Sequence, residues 1–150
     1  MNTITLDYDI VVIGAGPAGL YAAYYAGFRG FSVAVIDALP EAGGQVTAMY
    51  PEKDIFDIAG FPRVRGRELV DGLLAQAQSF SPTIMLSEQV MELACHDDFV
   101  QLATESGVSV QAKAVIITGG IGAFTPRPIP VGMEWLGRGL VHFVPRLADH

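Results

Sequence analysis

Residues 8–19 read Tyr-Asp-Ile-Val-Val-Ile-Gly-Ala-Gly-Pro-Ala-Gly, an apolar run broken abruptly by glycines. Nothing else in the chain restricts its folding as tightly. A nearly continuous apolar run of six residues is what a strand buried on both faces of a parallel sheet requires. Gly14-Ala15-Gly16-Pro17-Ala18-Gly19 then fits G-x-G-x-x-G, and the pattern from Pro17 to about Arg29 is helical, rich in Ala, Leu and Tyr, closing on Gly30. Ser32–Asp37 (Ser-Val-Ala-Val-Ile-Asp) reads as a second buried strand. Two neighbouring strands joined by a helix pair in parallel, because the helix carries the chain back to the end of the sheet where the first strand began.

Each position in the turn has a physical part. Gly14 permits the tight bend, Gly16 lets the backbone come close to a pyrophosphate, and Gly19 lets the helix lie close to the strand. Pro17 suits a first helical turn, where its missing N–H would have had no partner. The helix N-terminus offers unpaired N–H groups and partial positive charge to a diphosphate. Asp37, eighteen residues past Gly19, stands where an acid can accept from the hydroxyls of an adenosine ribose and would repel a 2′-phosphate. These residues define a dinucleotide site and leave NAD and FAD both open. Gly43-Gly44 and Gln45, just past the acid, favour FAD: they give an extended ligand a second close backbone and an amide. Tyr50 adds an aromatic face for a flavin ring. Thr118-Gly119-Gly120 ends a later strand on the side where open α/β sheets bind their cofactors.

Composition narrows the class. The chain has 150 residues, 51% of them apolar and 17% charged, with a net charge of −7. That is enough apolar sequence for one core, and the acidic balance disfavours nucleic acid and anionic membrane surfaces. Ile10–Gly27 carries no charge, but its glycines and the absence of Lys or Arg before it argue against a signal or spanning segment; a soluble, cytoplasmic protein is expected. Cys95 is the only cysteine, so an intrachain disulfide is excluded; its apolar neighbours Val90, Met91, Leu93 and Ala94 make it a candidate buried thiol. His96, His142 and His150 show no ligand spacing, and no metal is expected.

Residues 38–65 read as a long irregular stretch, punctuated by Pro40, Gly43-Gly44, Pro51, Gly60 and Pro62. A helix is expected over 67–80, with Leu69, Val70, Leu73, Leu74 and Ala77 on one face. From Thr83 to Ala112 short antiparallel strands are expected, and Ala114–Thr118 reads as another buried parallel strand. The Pro/Gly-rich remainder includes an expected short strand at 140–144, with Met133 and Trp135 as packing residues. The fold class is therefore α/β: a Rossmann-like domain with a central parallel sheet and an inserted antiparallel β-meander. Arg63, Arg65 and Arg67 cluster in an otherwise acidic chain. They read first as a solvated helix start and second as a docking patch for an acidic partner.

With those residues in view, the chain resembles the FAD-domain portion of flavoproteins with two dinucleotide-binding domains. It is most similar to the thioredoxin-reductase-like ferredoxin–NADP⁺ reductases of bacteria. Tyr8–Gly19, Pro40–Tyr50, Pro51–Pro62 and Val115–Pro126 carry the likeness. The resemblance implies that Gly14, Gly16, Pro17, Ala18 and Gly19 hold the FAD diphosphate and Asp37 the adenosine ribose. It further implies that Gln45 bonds the flavin end, Tyr50 stacks on the isoalloxazine, Val90 meets the adenine and Phe124 packs near the flavin. The family more often has Glu at the ribose position, and Asp37 is one methylene shorter. Relatives are about twice this length, as two ordinary domains require. Residues 1–120 would then form the N-terminal segment of a discontinuous FAD domain, and 121–150 a connector toward an NADPH domain outside this sequence. The implied activity is electron transfer between NADPH and ferredoxin through FAD, in a homodimer when full-length, with the 150 residues alone too few for the cycle. A thioredoxin-reductase-type domain, an NAD-dependent dehydrogenase domain and a dinucleotide-binding module without turnover are the alternatives.

Overall fold

The structure is a computed structural model that describes residues 5–122, 127, 129–142 and 144. Its centre is β1 (Thr5–Ile13), paired in parallel with β2 (Val33–Ile36) on one side and β8 (Ser109–Ile117) on the other. Helix α1 (Pro17–Phe28) makes the crossover from β1 to β2. A second crossover contains α2 (Gln45–Met49), a two-stranded ribbon of β3 (Asp54–Ile55) and β4 (Val64–Arg65), and α3 (Gly66–Gln78). It ends in β5 (Thr83–Met85), parallel to β2. Then β6 (Val90–Cys95) and β7 (Val100–Thr104) run antiparallel before β8, and the sheet order is β5-β2-β1-β8-β7-β6. The parallel sheet with an antiparallel insertion is the expected α/β class.

The alternation along Ile10–Ile13 of β1 and along β2 explains why these stretches are apolar without a break. Val12, Val33 and Val35 face α1 and α3, packing with Leu20, Ala23 and Val70. Val11, Ala34 and Ile36 face the other way, against Leu102, Val110 and Ala112 of the meander. A strand covered on both faces has no position for a polar residue. The helix expected over 67–80 begins at Gly66 and buries Leu69, Val70 and Ala77. Gly66 is needed there because a Cβ would come within 2.9 Å of both the Tyr50 carbonyl and a Val46 methyl, so α3 starts flush against α2.

Several expectations fail for physical reasons. The stretch 38–65 is shorter on irregularity than its Gly and Pro content implies, since it holds α2 and the β3–β4 ribbon. Thr83–Met85 belongs to the parallel sheet and not to the meander. The segments around 108–110 and 114–118 form one strand, antiparallel to β7 in its first half and parallel to β1 throughout. Its second half is apolar but uncovered among the described residues, with Ile117 71% exposed. Cys95 is exposed, because it ends an edge strand whose side chains are mostly exposed. Trp135, in a single 3₁₀ turn (Met133–Trp135), is also exposed. Of the strand expected at 140–144, Phe143 lies outside the described residues, and the others show only an isolated bridge between Leu136 and Leu140.

Candidate functional site

The strand ends of β1, β2 and β8 meet at the glycine turn between β1 and α1. Gly14 has φ +105°, a conformation that L side chains rarely adopt, and its N–H donates to the Ile36 carbonyl at 2.8 Å. Gly19 packs behind the turn: a Cβ there would overlap the Gly14 carbonyl and lie 2.7 Å from the Thr118 hydroxyl. Gly16 caps α1 without a side-chain hydrogen bond, and the first turn of the helix contains no acid. The N–H groups of Ala18 and Gly19 therefore have no intrahelical acceptor and carry the positive end of the helix dipole.

Three neighbours fix this turn in place. Asp37, at the end of β2, accepts the Ala15 N–H at 2.6 Å on one carboxylate oxygen and the Leu39 N–H at 2.8 Å on the other. The Ala15 carbonyl accepts the Gly43 N–H at 2.8 Å. Thr118, just after β8, donates its N–H to the Ile13 carbonyl at 2.8 Å and places its hydroxyl 2.9 Å from that oxygen and 3.0 Å from the Gly14 carbonyl. Gly44 lies so close to Gly16 that a Cβ on it would sit 3.1 Å from the Gly16 Cα. Gly44 thus brings the α2 segment against the glycine turn itself.

The turn opens on a cleft of about 510 Å³, within the range of roughly 300–1,000 Å³ usual for small-molecule sites. Gly14, Gly16, Pro17 and Ala18 form its floor, with Asp37 at one side and Gly44, Gln45 and Tyr50 at another. Glu88, Gln89 and Val90, leading into β6, face them, and Gly119–Gly122 completes the lining. Twelve of the residues singled out from the sequence for a cofactor site thus meet in one place, Thr118, Gly119 and Gly120 among them. Gly19 supports the floor from behind, and Phe124 lies outside the described residues. Gly120, at φ +56°, allows the Gln45 side chain past it; a Cβ would stand 3.3 Å from that amide nitrogen. The Lys53 ammonium lies 5.6 Å from the centre of the Tyr50 ring, so one face of the ring already has a cation near it.

Sequence reasoning did not find Glu88 and Gln89, which reach the cleft because β5 pairs with β2, or Leu39, which follows β2 directly. The Glu88 N–H donates to the Asp37 carbonyl at 2.9 Å. The neighbouring Ser106 and Thr104 hydroxyls hold the Glu88 carboxyl below its ordinary value. Of the three clustered arginines, Arg63 pairs with Asp54 at 3.2 Å and Arg67 with Glu41 at 2.7 Å. Both pairs fit the solvated-surface reading.

A glycine turn from β1 into α1, open to a cleft at the ends of parallel strands, defines a Rossmann-like domain of the dinucleotide-binding type. Residues 8–148 match the pyridine nucleotide-disulphide oxidoreductase family, and the chain belongs to that family. It is 64% identical, over 94% of its length and 44% of the relative's, to a ferredoxin–NADP reductase of Frankia casuarinae. It is 55% identical to that of Saccharopolyspora erythraea over 100% of this chain and 46% of the relative. Among solved structures, the thioredoxin reductase of Streptococcus pyogenes superposes with a TM-score of 0.69 at 31% identity, covering 86% of this chain and 40% of that one. The chain spans less than half the length of these curated relatives.

No helix among the described residues is long and apolar enough to cross a membrane, and they contain no group of side chains suited to a metal ion.

Proposed function

We propose that this chain is the FAD-binding part of a ferredoxin–NADP⁺ reductase, an NADPH-dependent flavoprotein that passes electrons to ferredoxin or a similar iron–sulfur carrier. The observation that carries the reading is the uncapped α1 N-terminus, with Gly14, Gly16, Pro17 and Ala18 on the floor of the cleft. That arrangement suits a diphosphate: the free N–H groups need acceptors, and no side chain of the turn fills the space above them. Its neighbourhood suits the rest of FAD. Glu88–Val90 would border the adenosine end, and Gln45 with Tyr50 the flavin end, with Phe124 near it as the resemblance implies.

When bound, FAD would supply hydride acceptance from NADPH and single-electron release. The protein's part is to bind and orient. Ala18 and Gly19 would donate N–H groups to the diphosphate. Asp37 would stand beside the adenosine ribose, and its negative charge would disfavour a 2′-phosphate at this site. Gln45 would offer its amide to the flavin side, and the free face of Tyr50 would stack on the ring. NADPH would be held by a second domain, reached through residues 121–150, with 1–120 as the first segment of a discontinuous FAD domain. A homodimeric, cytoplasmic enzyme completes the proposal. A thioredoxin-reductase type has the structural likeness in its favour, while the relatives of higher identity are ferredoxin–NADP reductases.

A visible spectrum of the purified chain tests the cofactor directly. Bands of oxidised flavin, or tight uptake of added FAD, are expected; colourless protein that binds NADH and not FAD would overturn the reading. The chain alone should not oxidise NADPH. Replacing Arg63, Arg65 and Arg67 with Ser in the full-length protein tests ferredoxin docking. An unchanged rate and salt dependence would remove these arginines from the ferredoxin surface.

A further inference from the structure

We infer that Asp37 governs cofactor affinity as a positioning residue that holds the glycine turn open for a diphosphate. Its effect does not depend chiefly on the adenosine ribose. The inference rests on the dinucleotide reading of the cleft but adds a separate role for the acid. Both carboxylate oxygens have backbone partners: Ala15 N–H at 2.6 Å and Leu39 N–H at 2.8 Å. The first is a bond to the turn itself, reaching across 22 positions of sequence. A charged acceptor makes a shorter and stronger hydrogen bond than a neutral one.

Ala15 shows why this bond matters to the site. The residue is fully buried, and its two backbone groups point to different elements. Its N–H is taken by Asp37 and its carbonyl by Gly43. Without the carboxylate, a buried N–H would be left with no acceptor, which destabilises the turn unless the peptide rotates toward another partner. Any such rotation moves Gly16 and the start of α1, where the free N–H groups lie. The short Asp suits this geometry, since its carboxylate sits against the main chain of the turn. One lone pair on each oxygen is still available, so a ribose hydroxyl can also be accepted; the positioning effect operates with or without it.

Two measurements on the full chain separate these roles. The first compares ADP with 2′,3′-dideoxy-ADP, which lacks the ribose hydroxyls, in the wild type and in Asp37→Ala. A loss of about tenfold or more, equivalent to about 1.4 kcal/mol, is expected for both ligands alike. A loss seen with ADP but abolished with the dideoxy compound would overturn the inference in favour of ribose recognition. No loss with either ligand would overturn it too.

The second measurement needs no ligand. Amide hydrogen exchange at Ala15 should be slow in the wild type, while Ala18, at the uncapped helix start, exchanges quickly. Asp37→Ala, which leaves no acceptor for the Ala15 N–H, should speed Ala15 and leave Val11 and Val12 in β1 unchanged. Equal exchange at Ala15 and Ala18 in the wild type would overturn the inference even if no variant folds, as would unaltered Ala15 exchange in the variant. Should the wild type bind neither nucleotide, the dinucleotide reading fails by itself, and the exchange result still decides what Asp37 does to the turn.

Discussion

The two glycine-rich walls of the cleft look alike in sequence and differ in structure. At Gly14–Gly19 the backbone is enclosed: Asp37, Gly43 and Thr118 bond to the turn or to its preceding strand, and Gly19 has the Gly14 carbonyl directly behind it. At Gly119–Gly122 the chain leaves β8 into open surroundings. Gly119 has no atom within 4 Å of a would-be Cβ, and Ile121 is 57% exposed. Glycine at the first wall answers a steric demand made by neighbours, whereas no neighbour among the described residues makes that demand of Gly119. Sequence motifs report both as glycine; only packing tells them apart.

The sharpest way to break this contrast is a matched pair of alanines. Gly19→Ala should cost more than about 3 kcal/mol in denaturant unfolding and abolish nucleotide binding, because backbone has to move to admit a methyl group. Gly119→Ala should stay within about 0.5 kcal/mol of wild type, as surface changes usually do. Equal effects would mean that the two walls are packed alike in solution. A second pair extends the comparison from glycine to leucine-sized residues. Leu20 is completely buried beneath the first wall and Ile117 is 71% exposed beside the second. Leu20→Ala should lower stability by about 2–5 kcal/mol, while Ile117→Ala should again change it by less than about 0.5 kcal/mol.

This contrast also explains what the sequence revealed. The order strand, glycine turn, helix, strand was legible because every step is a local signal: an apolar run, a backbone break, a helical repeat, a second apolar run. The apolar face of α3 was legible for the same reason. The failures come from reading an apolar residue as a covered one. Ile117, Cys95 and Trp135 are apolar in character and exposed among the described residues. Covering them depends on neighbours that no local pattern names. The continuity of β8 was hidden differently, since its first half pairs with both β1 and β7 while, among the described residues, its second half pairs with β1 alone. For the cleft, the turn and the position of Asp37 could be read, but the bond from Asp37 to Ala15 could not. It joins two segments whose approach is set by the sheet register Ile13↔Ile36.

Midway along β1 a smaller effect tests whether polar clamping matters away from the cleft. Asp9 accepts from the Lys113 ammonium at 2.7 Å and from the Ser32 hydroxyl and N–H at 2.7 and 2.8 Å, tying β1 to its neighbours on both sides. The Lys113 bond first, and the Ser32 bonds after it, hold the Asp9 carboxyl well below its ordinary value of 3.8. Protonation is therefore harder in the folded chain than in the unfolded one. The resulting stabilisation is fully present above the ordinary carboxylate range and is lost as pH falls below 3.8 toward the lower folded value. Asp9→Asn should flatten that acid limb of the stability curve, and added salt should shrink the difference between variant and wild type because the ammonium is exposed. Nucleotide affinity should be unaffected, since none of these three residues lines the cleft. An unchanged acid limb would show that Asp9 gains nothing from its partners in water. A changed nucleotide affinity would show that the middle of β1 is coupled to its cleft end, and that the clamps on the glycine turn extend back along the strand.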